Sequence, residues 1–350
     1  MKQYLKECVE ACLKTLNLKE AITLTFEKPR LPEHGDLTSN VALLIAKSIK
    51  TPPRPLAQNI VAKLEFDPSL IERVEIAGPG FINFYFTNRC YYQMLRDLLQ
   101  KGKGFGRLDI GKGKKTQVEF VSANPTGPLT VGHGRGAVFG DTIARFLEWT
   151  NHDVTREYYF NNAGRQMRIL GDSVRLRYLE LSGEKISFPD DYYQGEYIKE
   201  IAQHLRDAHG ESLKNEPPDG IFKARAEEEI FGDIKQTVKR LGISFDIFYN
   251  ENSLYETGKV KDIIEEFRQK GLAYDQDGAV WFKTTAFGAE KDKVIVKSTG
   301  EPTYRLPDIA YHREKFRRGF EMVIDVFGAD HVATYPDVLA GLQALRQDPY

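Results

Sequence analysis

One stretch of this chain concentrates residues suited to phosphate chemistry: Val118-Glu119-Phe120-Val121-Ser122-Ala123-Asn124-Pro125-Thr126-Gly127-Pro128-Leu129-Thr130-Val131-Gly132-His133-Gly134-Arg135. Its prolines and glycines mark a passage from a strand into a helix. Gly132 and Gly134 take side chains away from the helix start, so a flat ring or a phosphate can approach the backbone, and the unpaired first-turn amides attract anionic oxygens. His133, between them, can donate to a phosphoryl group whose charge grows during transfer. The Gly-x-x-x-x-Gly-Lys loop is absent, and taken alone the same composition also fits a capped helix carrying a partly buried histidine.

A strand over Gln117 to Val121, a turn-rich segment through Pro128 and a helix from about Gly132 to Glu148 frame this stretch, which is how an α/β nucleotide fold opens. Asp153 to Phe160 reads as the next strand. Ala163, Met167, Leu170, Val174, Tyr178 and Leu181 follow at helical spacing. From Ser182 to about Gln276 the pattern is mostly helical and reads as an insertion. Strands return at Ala279 to Lys283, Val294 to Lys297 and Met322 to Phe327. The last feeds Gly328-Ala329-Asp330-His331 and a helix with Val338, Leu339, Leu342 and Leu345. In a doubly wound sheet, two such strand–glycine–helix junctions can meet across one cleft at the strands' carboxyl ends.

Residues 1 to about 108 read as a separate small α+β unit, with helices around Val41-Leu44-Ile45 and Leu56-Ile60-Leu64 and two strands joined by Gly78-Pro79-Gly80. A glycine- and lysine-rich stretch from Lys101 to Lys115 has the composition of a linker. With 350 residues, 41% hydrophobic, 28% charged and a formal charge of −1, the chain is neither disordered nor a coiled coil, and no bulk charge argues for nucleic acid. Any polyanion must meet a local patch. The longest wholly apolar run, Val41 to Ala46, is far too short to span a membrane, and the expectation is a cytosolic protein without a membrane partner. Cys8, Cys12 and Cys90 lack metal-ligand spacing, so helix packing is their expected role and no structural metal is expected.

The segment Glu119 to Asp141, together with Asn161-Asn162-Ala163-Gly164, Gly278-Ala279-Val280-Trp281-Phe282, Asp308-Ile309-Ala310-Tyr311-His312 and Gly328-Ala329-Asp330-His331, closely resembles class I arginyl-tRNA synthetases. The resemblance covers nearly the whole chain. It implies a doubly wound, mostly parallel α/β sheet of the class I synthetase type with a helical insertion at about 182–276. Residues 1–108 would be that family's appended tRNA-contacting domain, and 109–350 its catalytic domain. The implied activity is adenylation of L-arginine by ATP, with Mg²⁺ on the nucleotide, then transfer to the terminal adenosine of tRNA(Arg). A relative that binds tRNA or nucleotide without catalysis stays open, while Glu119, Asn124, Tyr304 and Asp308 together argue against another nucleotidyltransferase of the same phosphate-binding architecture.

The resemblance also implies roles. Thr130-Val131-Gly132-His133 holds ATP, with His133 and Thr130 catalytic and Gly132 and Gly134 beside the nucleotide. Gly328, Asp330 and His331 meet its ribose and adenine. A carboxylate matches a guanidinium with two parallel hydrogen bonds, so Glu119 and Asp308 are the candidates for arginine's cation, joined by Ser122, Asn124 and Tyr304. Singly, each acid also fits a solvated surface. Thr130 stands where the family generally has histidine, Pro307 where it has arginine, and Val332 and Asp337 replace a histidine and an arginine. In the small domain, Phe81 and Asn83 alternate with Ile82 and Phe84, so one pair faces the helices and the other faces solvent or a tRNA base. The basic run His312 to Arg318 reads either as a phosphate-binding face or as a solvated helix surface. A monomer is expected, and the resemblance implies a family length that continues beyond Tyr350 into an anticodon-binding domain.

Overall fold

The computed structural model describes residues 1–18, 22–329, 332 and 334–346, and divides into two compact units, Met1–Gly106 and Arg107–Tyr350. The first contains helix α1 (Lys2–Thr15), strand β1 (Leu37–Ser39), helices α2 (Val41–Ile49) and α3 (Pro53–Lys63), strands β2 (Ile71–Ala77) and β3 (Phe81–Phe86), and helix α4 (Asn88–Lys101). Its three strands form an antiparallel sheet ordered β1-β3-β2. Ile82 and Phe84 point into a core with Leu5, Val9, Ile45 and Ile60. Cys12 is buried there, its thiol donating to the Ile60 carbonyl at 3.3 Å.

Phe81 is 38% exposed, but Asn83 is only 3% exposed, which corrects the expectation that both face open solvent. The reason is position in the sheet. β3 is central, and Asn83 sits between its register partners Thr38 and Glu75. Gly35 adopts φ 89°, and a Cβ there would lie 2.7 Å from the Phe84 carbonyl oxygen, so the bend before Asp36 requires glycine. The Asp36 carboxylate then accepts from the Phe86 amide at 2.7 Å and from the Tyr91 hydroxyl, tying β3 to α4.

The second unit runs β4 (Lys115–Glu119), α5 (Val131–Trp149), β5 (Asp153–Phe160), α6 (Gly164–Leu181), α7 (Glu196–His209), α8 (Lys223–Arg240), β6 (Ile247–Asn250), α9 (Asn252–Glu256), α10 (Lys259–Gln269), β7 (Ala273–Gln276), β8 (Ala279–Phe282), β9 (Lys293–Val296), α11 (Arg305–Arg317), β10 (Met322–Asp325) and α12 (Tyr335–Ala344). Strands β10-β4-β5-β6 form a parallel sheet, so the order reverses between β4 and β10. Strands β7-β8-β9 make a separate antiparallel sheet. β6 and β7 fall within the stretch read as mostly helical. Four residues, Ile247 to Asn250, are too short to announce a strand by periodicity, yet they pair with Glu157 to Phe160 of β5.

Val118 and Phe120 pack on Ala137 and Ala144 of α5. The helix approaches closely at Gly140, where a Cβ would lie 2.3 Å from the Phe120 ring. Gly140→Ala is therefore expected to destabilise this unit by about 1–3 kcal/mol through overpacking, read as a lower denaturation midpoint with an unchanged slope. An unchanged midpoint would contradict the contact.

Candidate active site

Glu119 ends β4 and Asp325 ends β10, and the two are register partners across the point where strand order reverses. On the other side of Glu119 its partner is Glu157 of β5. Parallel register partners project to one face of a sheet, so three carboxylates stand in a row. Glu119 and Glu157 are 3% and 0% exposed. Such a row persists only if each charge is paired.

Helix α11 supplies the pairs. Lys315, fully buried, donates to Glu119 Oε2 at 2.5 Å and also to Asp325. His312 Nε2 lies 3.0 Å from Asp325 Oδ2. Arg318, at the end of the helix, grips Glu157 with two bonds of 2.6 and 2.8 Å, and the Tyr311 hydroxyl donates to the same carboxylate at 2.5 Å. Residues 312, 315 and 318 recur every third position and share one face. The basic run is thus neither a phosphate-binding face nor a solvated surface, apart from exposed Arg317. Its His312, Lys315 and Arg318 meet the acidic row from within, a role invisible without the sheet register, while Arg313 pairs with Glu266 of α10.

Electrostatics follow this sharing. Burial alone would depress the Lys315 ammonium, but Asp325 and Glu119 outweigh it and hold the group above its ordinary value. Burial would likewise raise Asp325, yet Lys315 and His312 hold it well below the usual carboxylate range. Glu119 moves upward: burial raises it, Lys315 opposes, and Asp325 adds to the rise. One ammonium divided between two carboxylates leaves Glu119 the weaker claimant.

A second acidic group borders the first. The Tyr159 hydroxyl donates to Glu251 Oε2 at 2.8 Å, and Asn161 Nδ2 donates to Oε1 of the same residue at 2.8 Å. Burial drives the Tyr159 phenol well above its ordinary value, and the charges of Glu251, Asp308 and Glu119 push it further. One phenol therefore senses three carboxylates from β4, α11 and the residue after β6. The predicted pair Glu119 and Asp308 thus act electrostatically on one phenol, whose hydroxyl is bound by Glu251, which the sequence reading missed. Its only sequence signal was an acid following a strand too short to recognise. Burial raises Glu251 more than hydrogen bonds from Tyr159, Asn161 and Tyr255 lower it. A cation entering here would find carboxylates with little water to compete.

The loop after β4 is strained in a way that aims Ser122. Val121 and Ser122 have φ values of 69° and 44°, and the Ser122 amide donates to the Phe120 carbonyl at 3.0 Å, closing a left-handed three-residue turn at a β-branched residue. Strain of this kind costs about 1–3 kcal/mol and marks a position held by its surroundings. Here the Ser122 hydroxyl donates to Glu119 Oε1 at 2.8 Å and accepts from the Tyr159 amide at 3.2 Å. Asn124 Oδ1 accepts from the Asn161 amide at 2.9 Å, joining the ends of β4 and β5.

Beyond that loop, Thr130 caps α5. Its Oγ1 accepts from the His133 amide at 3.4 Å, and its own amide donates to His133 Nδ1 at 3.1 Å. Since Nδ1 accepts a hydrogen bond, the proton of the neutral ring resides on Nε2. Threonine at this departure from the family pattern is therefore the helix cap that orients His133. His133 bonds within this cap and not to Glu119. A Cβ at Gly134 would meet nothing within 4 Å, and one at Gly132 only Thr130 Oγ1 at 3.5 Å. Packing does not demand these glycines, although each costs about 1 kcal/mol against alanine inside a helix.

Tyr304 caps α11 and is 87% exposed, four residues before Asp308 in the first turn. Pro307 occupies that first turn, where its missing amide removes no helix bond. Asp337 is buried and accepts from Arg305 Nε at 2.5 Å, so this departure from the family pattern forms an ion pair between α11 and α12. Gly328 is exposed after β10, while Asp330 and His331 lie outside the described residues. Among the described residues, no group of three or more His, Cys, Asp or Glu is placed to hold a metal, and no helix is long and apolar enough to cross a membrane.

Residues 3–86 match the family model described as arginyl tRNA synthetase N terminal domain, and residues 94–333 match that of the tRNA synthetases class I (R) catalytic domain. An arginine–tRNA ligase of Desulfotalea psychrophila is 54% identical over 354 residues, covering 99% of this chain and 64% of that protein. One from Prosthecochloris aestuarii is 51% identical, covering 100% and 64%. The chain thus spans 64% of the length of these curated relatives. The solved arginyl-tRNA synthetase of Thermus thermophilus shares the fold, with a TM-score of 0.68 at 19% identity, covering 99% of this chain and 63% of that one.

Proposed function

The chain belongs to the arginyl-tRNA synthetase family of class I, and on that premise we propose that its cleft activates L-arginine with ATP and passes the arginyl group to tRNA(Arg). The observation that supports this most is the buried acidic group at the switch point of the parallel sheet, where Glu251 accepts from the Tyr159 hydroxyl and the charges of Asp308 and Glu119 act on the same phenol. A guanidinium has planar donors that such carboxylates match. Asp308 and Glu251 are the proposed partners of that group, with Tyr304 covering it. Glu119 and Ser122 take the substrate's amino end and Asn124 shapes the pocket between them.

ATP is proposed to lie at the start of α5, with Gly132 and Gly134 against the nucleotide and Gly328, Asp330 and His331 around its ribose and adenine. An arginine carboxylate oxygen attacks the α-phosphorus and pyrophosphate leaves. A ribose hydroxyl of the terminal adenosine then attacks the adenylate carbonyl and AMP leaves. His133 Nε2–H donates to the phosphoryl oxygens as their charge grows, and Thr130 keeps the ring in that tautomer. Mg²⁺ neutralises phosphate charge through substrate oxygens and water, a role that asks no dedicated cluster of the protein.

Residues 109–350 are the proposed catalytic domain, with the helical insertion at 182–276 shortened by β6, and residues 1–108 the tRNA-contacting one. There the exposed Phe81 ring offers a stacking surface for a base, with Asn83 on the same sheet face. A cytoplasmic location and a monomeric state belong to the same proposal. In the full-length protein, arginine-dependent exchange of pyrophosphate into ATP in the presence of tRNA(Arg) is the expected result. Folded protein that binds the tRNA without exchange would favour the binding-only relative.

A further inference from the structure

We propose that His312 is a positioning residue for the arginine end of this cleft, present as an imidazolium that clamps the Asp308 carbonyl and the Asp325 carboxylate and so disfavours proton uptake by Glu119. The inference rests on the arginine reading above. His312 Nδ1 lies 2.7 Å from the Asp308 carbonyl oxygen and Nε2 lies 3.0 Å from Asp325 Oδ2. Both neighbours only accept. A neutral imidazole has one N–H, so one of its lone pairs would face an oxygen lone pair at hydrogen-bond distance in a side chain 12% exposed. Asp325 does not supply the missing proton, because it also receives Lys315. Two N–H groups satisfy both contacts.

The charged and titratable groups around this ring are Asp325 on β10, Glu119 on β4, and Asp308, Tyr311 and Lys315 on its own helix. Burial and the Lys315 charge oppose protonation, but Asp325 and Glu119 outweigh them and the imidazole titrates above its ordinary value. With His312 charged, two cations face the two carboxylates Asp325 and Glu119. With it neutral, Lys315 alone faces both, and the buried surplus of negative charge favours proton uptake by Glu119, already raised by burial. A protonated Glu119 attracts a cationic amino acid less. The Nδ1 bond meanwhile holds the turn from which Asp308 projects.

Histidine-selective ¹⁵N NMR of the full chain at about pH 7.5 is the direct test, with the His312 signal assigned by its loss in His312→Gln. Both ring nitrogens are expected protonated, and a single-tautomer neutral ring overturns the clamp. By calorimetry, His312→Gln is expected to bind arginine about tenfold more weakly, the size of one charge-assisted bond, with ATP affinity unchanged. That deficit should shrink as pH is raised and Glu119 loses its acquired proton, a recovery a purely structural defect would not show. Equal arginine affinity, or a pH-independent deficit, overturns the positioning role. Failure of the wild type to bind arginine would overturn the functional reading and that role with it, while the NMR state still decides the clamp.

Discussion

Lys315→Met is expected to lower the stability of the catalytic unit by about 3–5 kcal/mol, the usual effect of removing one partner from a buried ion pair. Methionine fills a similar space, so packing changes little. What changes is that Glu119 and Asp325, register neighbours on β4 and β10, lose the ammonium between them. The pH dependence should then shift toward gaining stability on acidification. In the wild type Asp325 titrates below its unfolded value, so its contribution is present above the unfolded carboxyl pKa of about 3.9 and is lost as pH falls through its lower folded value. In the variant Glu119 is buried without a cation and Asp325 keeps only His312, so Glu119, already above its unfolded value, rises further. The folded state then binds more protons, and stability rises as pH falls from about 7 to 5. Urea denaturation from about pH 7 down to below about pH 3.9 checks both trends. Adding Glu119→Gln and Asp325→Asn should restore most of the loss, because neutral groups need no cation. A single-variant loss below about 1 kcal/mol would mean that water reaches this site and the pairing is not structural.

Asp308→Asn is expected to weaken arginine binding about tenfold to a hundredfold, the range of a lost charge-assisted hydrogen bond of about 1.5–3 kcal/mol. Folding should be largely retained. Asp308 lies in the first turn of α11, and losing its favourable interaction with the helix dipole there costs about 0.3–1 kcal/mol. ATP affinity should be unaffected, since the nucleotide is assigned to the α5 entrance. Citrulline, with the shape of arginine but no cation, supplies the sharper comparison. The wild type should reject it strongly, and the variant should narrow the gap by losing arginine rather than by gaining citrulline. Equal arginine affinity in variant and wild type, measured by calorimetry, would remove Asp308 from the proposed cradle and leave Glu251 as its main acid.

The two predictions probe acids that looked alike along the chain. Glu119 and Asp308 both stood in motifs resembling the arginine pocket, and neither showed which partner it already had. The structure separates them: Glu119 shares an internal lysine with Asp325, whereas Asp308 lies in the first turn of α11 with its charge acting on Tyr159 and Tyr255. Thr130 follows the same logic. As a letter it was a missing histidine, while in the fold it is the cap whose amide fixes the ring of His133.

What the sequence determined by itself was local. The strand over Asp153–Phe160, the helix entered at the glycines of the Thr130–Arg135 segment and the helix spanning Gly164–Leu181 follow from periodicity, capping chemistry and turn residues, each acting within a few neighbours. The motif resemblance placed the family on the same footing, because ordered short segments can be recognised without knowing what they touch. Only the tertiary structure decided that β6 belongs to the central sheet, that Asn83 is covered, and that the cations of α11 answer a row of acids on β10, β4 and β5. Those facts join residues up to 206 positions apart, as between Lys115 and Glu321, and depend on strand register and helix placement. A side chain's charge is written in its letter, but the environment that sets its proton affinity and its partner is assembled only when distant segments pack.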